Sequence, residues 1–227
     1  LYVDEEEITN LRVALQGELS QRHFGDAVRL EVSDQTSPDM TARLLKEFGL
    51  PEQALYRVNG PVNLVRLMQL PDWVDRPELK FAPFVPGRPD ALVKQPDIFK
   101  AIQKGDVLLH HPYQSFSPVL EFIKKAATDP DVVAIKQTIY RTGTESVLME
   151  SLLAAARSGK EVTVVLELMA RFDEEANINW ASKLERVGAH VVYGVVGQKT
   201  HAKMLMVVRR EKTETGKVLL RRYVHLG

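Results

Sequence analysis

Apolar residues recur along this chain with two periods, and the changes between them mark its elements. Leu11, Leu15 and Leu19 repeat at helical spacing up to Arg22, and Ala27 to Val32 alternates like a strand. Ser37-Pro38 predicts the start of a second helix, carrying Leu44, Leu45 and Phe48 and stopped by Gly49. Residues 1–90 therefore read as an α+β segment without an obvious chemical cluster. Six prolines fall between Pro71 and Pro96, a density that neither helix interiors nor central strands tolerate, so a domain junction is expected near residue 90.

Beyond that junction the pattern becomes regular. Val107 to Leu109 reads as a short strand, Ser117-Pro118 opens a helix to about Thr128, and Val132 to Ile139 is a buried strand. Thr144 is the expected cap of a helix ending before Gly159, and Val162 to Leu168 is the next strand. Asp173 and Glu174 open a helix that ends at Gly188, followed by a strand from His190 to Tyr193. Strand and helix in alternation imply right-handed crossovers and a largely parallel sheet. The end differs: Lys203 to Arg209 and Val218 to Val224 flank a polar stretch, Arg210 to Lys217, as in a hairpin at a sheet edge.

Composition narrows the functional classes. The 227 residues are 44% apolar and 26% charged, and 30 basic residues balance 30 acidic ones, so no uniform basic surface draws the chain onto nucleic acid or anionic lipid. The longest apolar runs, Met204 to Val208 and Leu152 to Ala156, fall far short of the ~20 residues that span a bilayer. The absence of cysteine excludes disulfides, thiol catalysis and cysteine-ligated zinc, and makes the cytoplasm the default location. A start at Leu1 and a stop after Tyr223-Val-His-Leu, where a strand enters a turn, read as part of a longer protein.

Ligands of α/β sheets gather beyond the carboxyl ends of the parallel strands. Arg141 and Arg171 follow two such strands closely, so both are expected at one rim, where a guanidinium fork suits phosphate oxygens. The alternative is a plain ion pair, with Glu145 for Arg141 and with Asp173 or Glu174 for Arg171. Thr200-His201-Ala202-Lys203 opens an apolar strand, and strand alternation would set His201 and Lys203 on one side. A neutral imidazole can attack phosphorus while a nearby cation offsets charge on the transferring oxygens. A hydrogen-bonded structural histidine remains the other reading. Residues 197–227 hold eight Lys or Arg against Glu211 and Glu214, a surplus that a polyanion could use or that a solvated hairpin could simply carry. His110 and His111 follow the expected short strand, but adjacent side chains diverge, which argues against zinc. Lys136 in an apolar strand needs an anionic partner, for which Glu167 is the expected one. His225 is read as the start of the final turn.

Five ordered segments, HHPYQSFSP at 110–118, AIKQTIYR at 134–141, ELMARFDEEANINW at 167–180, KTHAK at 199–203 and YVHLG at 223–227, resemble signatures of bacterial polyphosphate kinase. The match is densest from residue 106 onward. The resemblance implies that residues 1–90 are the later part of an α+β head domain and residues 91–227 most of a first phospholipase D-like catalytic domain, a mixed α/β sheet with flanking helices. It implies reversible transfer of the terminal phosphate of ATP to inorganic polyphosphate through a phosphohistidine. On it, His201 is the nucleophile, Arg141 and Arg171 form the magnesium and phosphate site, and Lys203 steadies the phosphoryl group. Because arginine cannot ligate a cation, both arginines would reach Mg²⁺ only through phosphate. The implied partners are ATP, ADP and polyphosphate and not nucleic acid, in a homo-oligomer, dimer or tetramer, in the cytoplasm or peripheral at the inner membrane face. A second histidine-bearing catalytic domain lies outside these residues, so alone they are expected to be inactive. Two other readings are a phospholipase D-like phosphodiesterase or nuclease and a non-catalytic assembly module. The first is weakened by Val208, which stands where the usual His-x-Lys motif of that fold has an aspartate.

Overall fold

The computed structural model describes residues 26–143, 146–168, 170, 173–194 and 198–227. They divide into two units, 26–84 and 85–227. The expected helix around Leu11, Leu15 and Leu19 lies outside the described residues.

In the first unit, strand β1 (Leu30–Ser33) pairs in parallel with β2 (Leu55–Val58), setting Leu30 opposite Leu55. Between them runs helix α1 (Pro38–Glu47). Ser37 caps it by accepting the Met40 N–H at 3.2 Å, Pro38 occupies the first turn where no amide is needed, and Gly49 takes φ +62° just past its end. Arg57 of β2 donates to the Thr36 carbonyl at 2.9 Å and to the Thr41 hydroxyl at 3.0 Å, fixing the helix start against the strands. Further along are a one-turn helix, α2 (Leu70–Trp73), and several 3₁₀ turns.

The second unit opens with α3 (Asp90–Lys94) and α4 (Ile98–Lys104), the latter capped by the Asp97 carboxylate. The strand expected at Val107 to Leu109 is not formed; Gly105 ends α4 and the segment runs on as an irregular connection. Its three apolar residues have no strand neighbour to pair with, and Leu108 is exposed. Then follow α5 (Ser117–Thr128), β3 (Val132–Ile139), α6 (Val147–Arg157), β4 (Glu161–Leu166), α7 (Glu174–Arg186), β5 (His190–Tyr193), β6 (Met204–Lys212) and β7 (Val218–Leu226). The cap of α6 is Ser146, not Thr144: its hydroxyl accepts the Met149 N–H at 3.4 Å.

The sheet has the order β5-β4-β3-β6-β7; β3, β4 and β5 are parallel, β6 runs antiparallel to β3, and β7 runs antiparallel to β6. This is the mixed α/β sheet with flanking helices expected from the sequence. The hairpin is longer than expected, because the ladder persists to Lys212 and only residues 213–217 form the turn. Strand alternation points Ile135, Ile139, Val164, Leu166, Leu205 and Val207 into one buried layer, where they meet Ile123, Met149 and Leu152 of the helices. Removing a fully buried side chain of this size from water stabilises by ~1.5–3 kcal/mol.

A polar cluster locks the amino end of β3 to β6 and β7. Arg209 reaches Asp129 at 3.1 Å, Asp131 at 3.5 Å and Glu211 at 3.4 Å, and its guanidinium lies over the Phe99 ring. Buried Tyr223 stacks edge-on to Phe99 and donates its hydroxyl proton to Glu211, while Gln103 donates to the phenol oxygen at 2.8 Å. Burial, reinforced by the Glu211 carboxylate, pushes the Tyr223 phenol up to about 12. Folding therefore favours the protonated phenol. This contribution is intact below the unfolded value near ~10 and is lost as pH rises toward the folded value. Unfolding midpoints should fall between pH ~10 and ~12 in the wild type and show a smaller fall in Tyr223→Phe; parallel curves for the two proteins would show that Tyr223 titrates normally.

Candidate functional site

Two strands end side by side at one edge of the second unit, and the chain leaves each through a polar segment. Past Ile139, Tyr140 and Arg141 continue from β3; past Leu166, Glu167 continues from β4. Asn177 of α7 closes this corner. Its amide nitrogen donates to the Tyr140 carbonyl at 3.0 Å and the Glu167 carbonyl at 2.8 Å, and its amide oxygen accepts the Thr142 hydroxyl at 3.0 Å. The Glu167 N–H donates in turn to the Ile139 carbonyl at 2.8 Å. Asn177 is fully buried, so these bonds satisfy groups with no access to water.

The segment before β6 is held against the same corner. The Glu167 carboxylate, 5% exposed, accepts the Thr200 N–H at 2.7 Å, a charge-assisted bond. Thr138 donates to the Ala202 carbonyl at 2.5 Å and accepts the Met204 N–H at 2.9 Å. His201 and Lys203 thus sit ahead of β6, which starts only at Met204, and not within a strand as the alternation implied. The partners of Glu167 and Thr138 fix the backbone here in place of a ladder. The Lys203 ammonium donates to the His201 carbonyl at 2.6 Å.

Tyr140 gathers the charged side chains. The His201 ring meets its ring edge-to-face with centroids 4.8 Å apart; the Lys203 ammonium lies 5.1 Å and the Arg141 guanidinium carbon 5.4 Å from its centroid. Arg141 also pairs with Asp173 at 3.4 Å, the carboxylate expected for Arg171, while Glu145 lies outside the described residues. With Arg141 half exposed, that pair is worth ~0–1 kcal/mol, weak enough for phosphate oxygens to compete for the guanidinium. Arg171 lies outside the described residues. The structure therefore brings together His201, Lys203 and Arg141, all exposed at one rim, around a tyrosine that the residue-by-residue reading passed over.

Other expectations fare differently. Lys136 approaches Glu161 at 3.9 Å instead of Glu167, whose carboxylate is turned to Thr200. Lys136 is half exposed on the open face of the sheet, so water meets the need for which a buried partner was expected. His225 lies inside β7 opposite Leu205, not in a turn. Burial, helped by the charge of His111, lowers its pKa. It borders an apolar cavity of about 300 Å³ lined by Leu92, Ile98, Val119, Phe122 and Val224, separate in character from the charged rim. The His111 ring nitrogen Nδ1 lies 2.9 Å from the Gln114 carbonyl and the ring packs on Phe116, whereas the His110 ring packs on Tyr113. Among the described residues no group of three or more His, Asp or Glu could hold a metal ion. No helix of the described residues is long and apolar enough to cross a membrane.

The rim can be compared with known proteins. The chain matches the model of the polyphosphate kinase C-terminal domain 1 over residues 97–227 and that of the polyphosphate kinase middle domain over residues 1–70. It is 68% identical over all 227 residues to the polyphosphate kinase of Burkholderia lata, of which it spans 33%. The crystal structure of polyphosphate kinase from Porphyromonas gingivalis aligns with 82% of this chain and 28% of its own, at 29% identity and a TM-score of 0.66. A phospholipase D family member, Nuc from Salmonella typhimurium, overlaps 47% of this chain and 73% of its own at 17% identity and a TM-score of 0.33, a partial likeness that carries no argument. With more than half of its length matched by a single domain model, the chain belongs to the polyphosphate kinase family.

Proposed function

We propose that this chain carries the nucleophile and part of the phosphate clamp of an ATP–polyphosphate phosphotransferase. The observation that carries the reading is the convergence of His201, Lys203 and Arg141 on one rim beyond the carboxyl end of β3. An imidazole nitrogen of His201 attacks the γ-phosphorus of ATP, the bond from that phosphorus to the β,γ-bridging oxygen breaks, and ADP leaves. A terminal oxygen of polyphosphate then attacks the same phosphorus, the P–N bond breaks, and the histidine is restored with the polymer one phosphate longer. Lys203 and Arg141, with Arg171 from the family pattern, offset negative charge on the transferring oxygens.

The described side chains around the rim are Tyr140, His201, Lys203 and Arg141, with Asp173 paired to Arg141 and the Glu167 carboxylate turned to the Thr200 N–H. This donor set does not fit a protein-held Mg²⁺; the ion belongs with the phosphates of the nucleotide. The family reading also carries a homo-oligomeric, cytoplasmic enzyme. A phosphodiesterase of the phospholipase D type has no matching carboxylate, since Val208 faces Ala134 within the β6–β3 ladder.

The covalent step is testable in a full-length relative whose matching third is replaced by this chain. Incubated with γ-labelled ATP and Mg²⁺, it should acquire an acid-labile, base-stable label at His201, absent from His201→Ala. Full labelling of that variant would remove His201 as nucleophile.

The clamp has its own test in the same protein. Arg141→Lys keeps the charge but loses the planar fork, so polyphosphate synthesis should fall on the order of 10²-fold with an unchanged melting temperature. Wild-type turnover in Arg141→Lys would reduce Arg141 to its ion pair with Asp173.

A further inference from the structure

We propose that Tyr140 is the positioning residue for the His201 nucleophile, acting through its ring and not through its hydroxyl; this rests on the phosphohistidine reading above. The backbone beneath the ring is fixed from three directions. Ile139 ends a strand paired on both sides, the Tyr140 carbonyl accepts from Asn177, and Thr142 is tied to the same amide. These bonds fix the main chain from which the ring projects.

The segment of His201 is tied through Thr200, Ala202 and Met204, Lys203 through the His201 carbonyl and Arg141 through Asp173, whereas the His201 ring itself packs on Tyr140. His201 and Lys203 are exposed and precede β6, and Arg141 is half exposed. An imidazole in such a segment would otherwise exchange among staggered rotamers, only some of which aim a nitrogen at an incoming phosphorus. Attack needs reacting atoms within about 3–3.5 Å and in line. Edge-to-face packing at 4.8 Å restricts the His201 ring to orientations that keep the contact with Tyr140. The same ring attracts both cations through its π-system, at 5.1 Å for Lys203 and 5.4 Å for Arg141. One aromatic ring thus contacts the nucleophile and both charge-neutralising groups.

The test separates ring from hydroxyl and geometry from chemistry. In the full-length relative carrying this chain, the single-turnover rate of His201 phosphorylation should stay within about threefold of wild type in Tyr140→Phe. In Tyr140→Leu it should fall on the order of tenfold or more, with the ATP concentration for half-maximal rate changed less than about threefold. Loss in Tyr140→Phe equal to that in Tyr140→Leu would make the hydroxyl the acting group and overturn the proposal, as would wild-type rates in both. A wild-type protein that takes no label would instead overturn the phosphohistidine reading. The ring contact is decided separately by NMR of the 227-residue chain. Ring-current displacement of the His201 or Tyr140 ring protons should persist in Tyr140→Phe, for the surviving ring, and vanish in Tyr140→Leu. Its absence in the wild type would overturn the geometry on which the proposal stands.

Discussion

A single buried amide governs the geometry of the rim. Asn177 has no solvent exposure, yet three of its hydrogen-bonding positions are taken by Tyr140, Glu167 and Thr142, all from segments that have just left the sheet. Strand ends normally splay where ladder bonds stop, and a carbonyl left unpaired in this corner would cost ~1–3 kcal/mol. By occupying both carbonyls with one amide, α7 keeps the exits of β3 and β4 together. The buried Glu167 carboxylate then reaches the Thr200 N–H, which brings the segment of His201 to the same edge. From Asn177 to Glu167 to Thr200, each bond fixes backbone, and the exposed side chains at the rim inherit their positions from it.

The opposite end of the sheet has a different character. The basic surplus of residues 197–227 invited the idea of one polyanion-binding surface, but its members are divided. Arg209 and Arg221 are engaged with Asp129, Asp131 and Glu211. Burial by itself would raise the Asp129 carboxyl, yet the bond from the Asp131 N–H and the charge of Arg209 outweigh it and leave it lowered. Lys160, whose pKa burial lowers, caps the Asp129 and Val132 carbonyls at 2.5 and 3.0 Å. These charges hold the hairpin to the start of β3. Arg209, with Arg221 opposite it, lies six residues beyond Lys203, a separation of about 20 Å at ~3.3 Å per residue. Lys203 and Arg141, by contrast, stand beside His201 around the Tyr140 ring.

Much of this arrangement was legible in the sequence because periodicity reports burial. Val132 to Ile139 and the helix beginning after Asp173 stand where the apolar pattern put them, the strand expected at Val162 to Leu168 forms but ends two residues early at Leu166, and the two segments leaving β3 and β4 were read as one rim. Where the reading failed, local pattern had no access to the deciding contact. Val107 to Leu109 has strand composition but no neighbour to pair with, and the Thr200 to Lys203 segment alternates like a strand while its bonds go to Glu167 and Thr138. Glu167 was assigned to Lys136 by charge and burial, whereas its position just past β4 aims it at a backbone amide. Tyr140 and Asn177 were missed for a related reason. Their roles arise from contacts between different segments, such as Asn177 to Tyr140 across 37 residues and Tyr140 to His201, and neither has an unusual neighbour in sequence. Both lie inside segments that carry the family resemblance, AIKQTIYR and ELMARFDEEANINW, which was the one available signal.

The claim that Asn177 organises the rim is tested most directly by amide hydrogen exchange in Asn177→Leu, which keeps the side-chain volume and removes all three bonds. Protection of the Glu167 and Thr200 amides should fall by on the order of tenfold or more, while the Arg210 amide, bonded to the Asp131 carbonyl at 2.8 Å at the far end of the sheet, keeps its wild-type rate. Wild-type protection at Glu167 and Thr200 in that variant would show that the rim holds itself together without the buried amide, and would contradict the account.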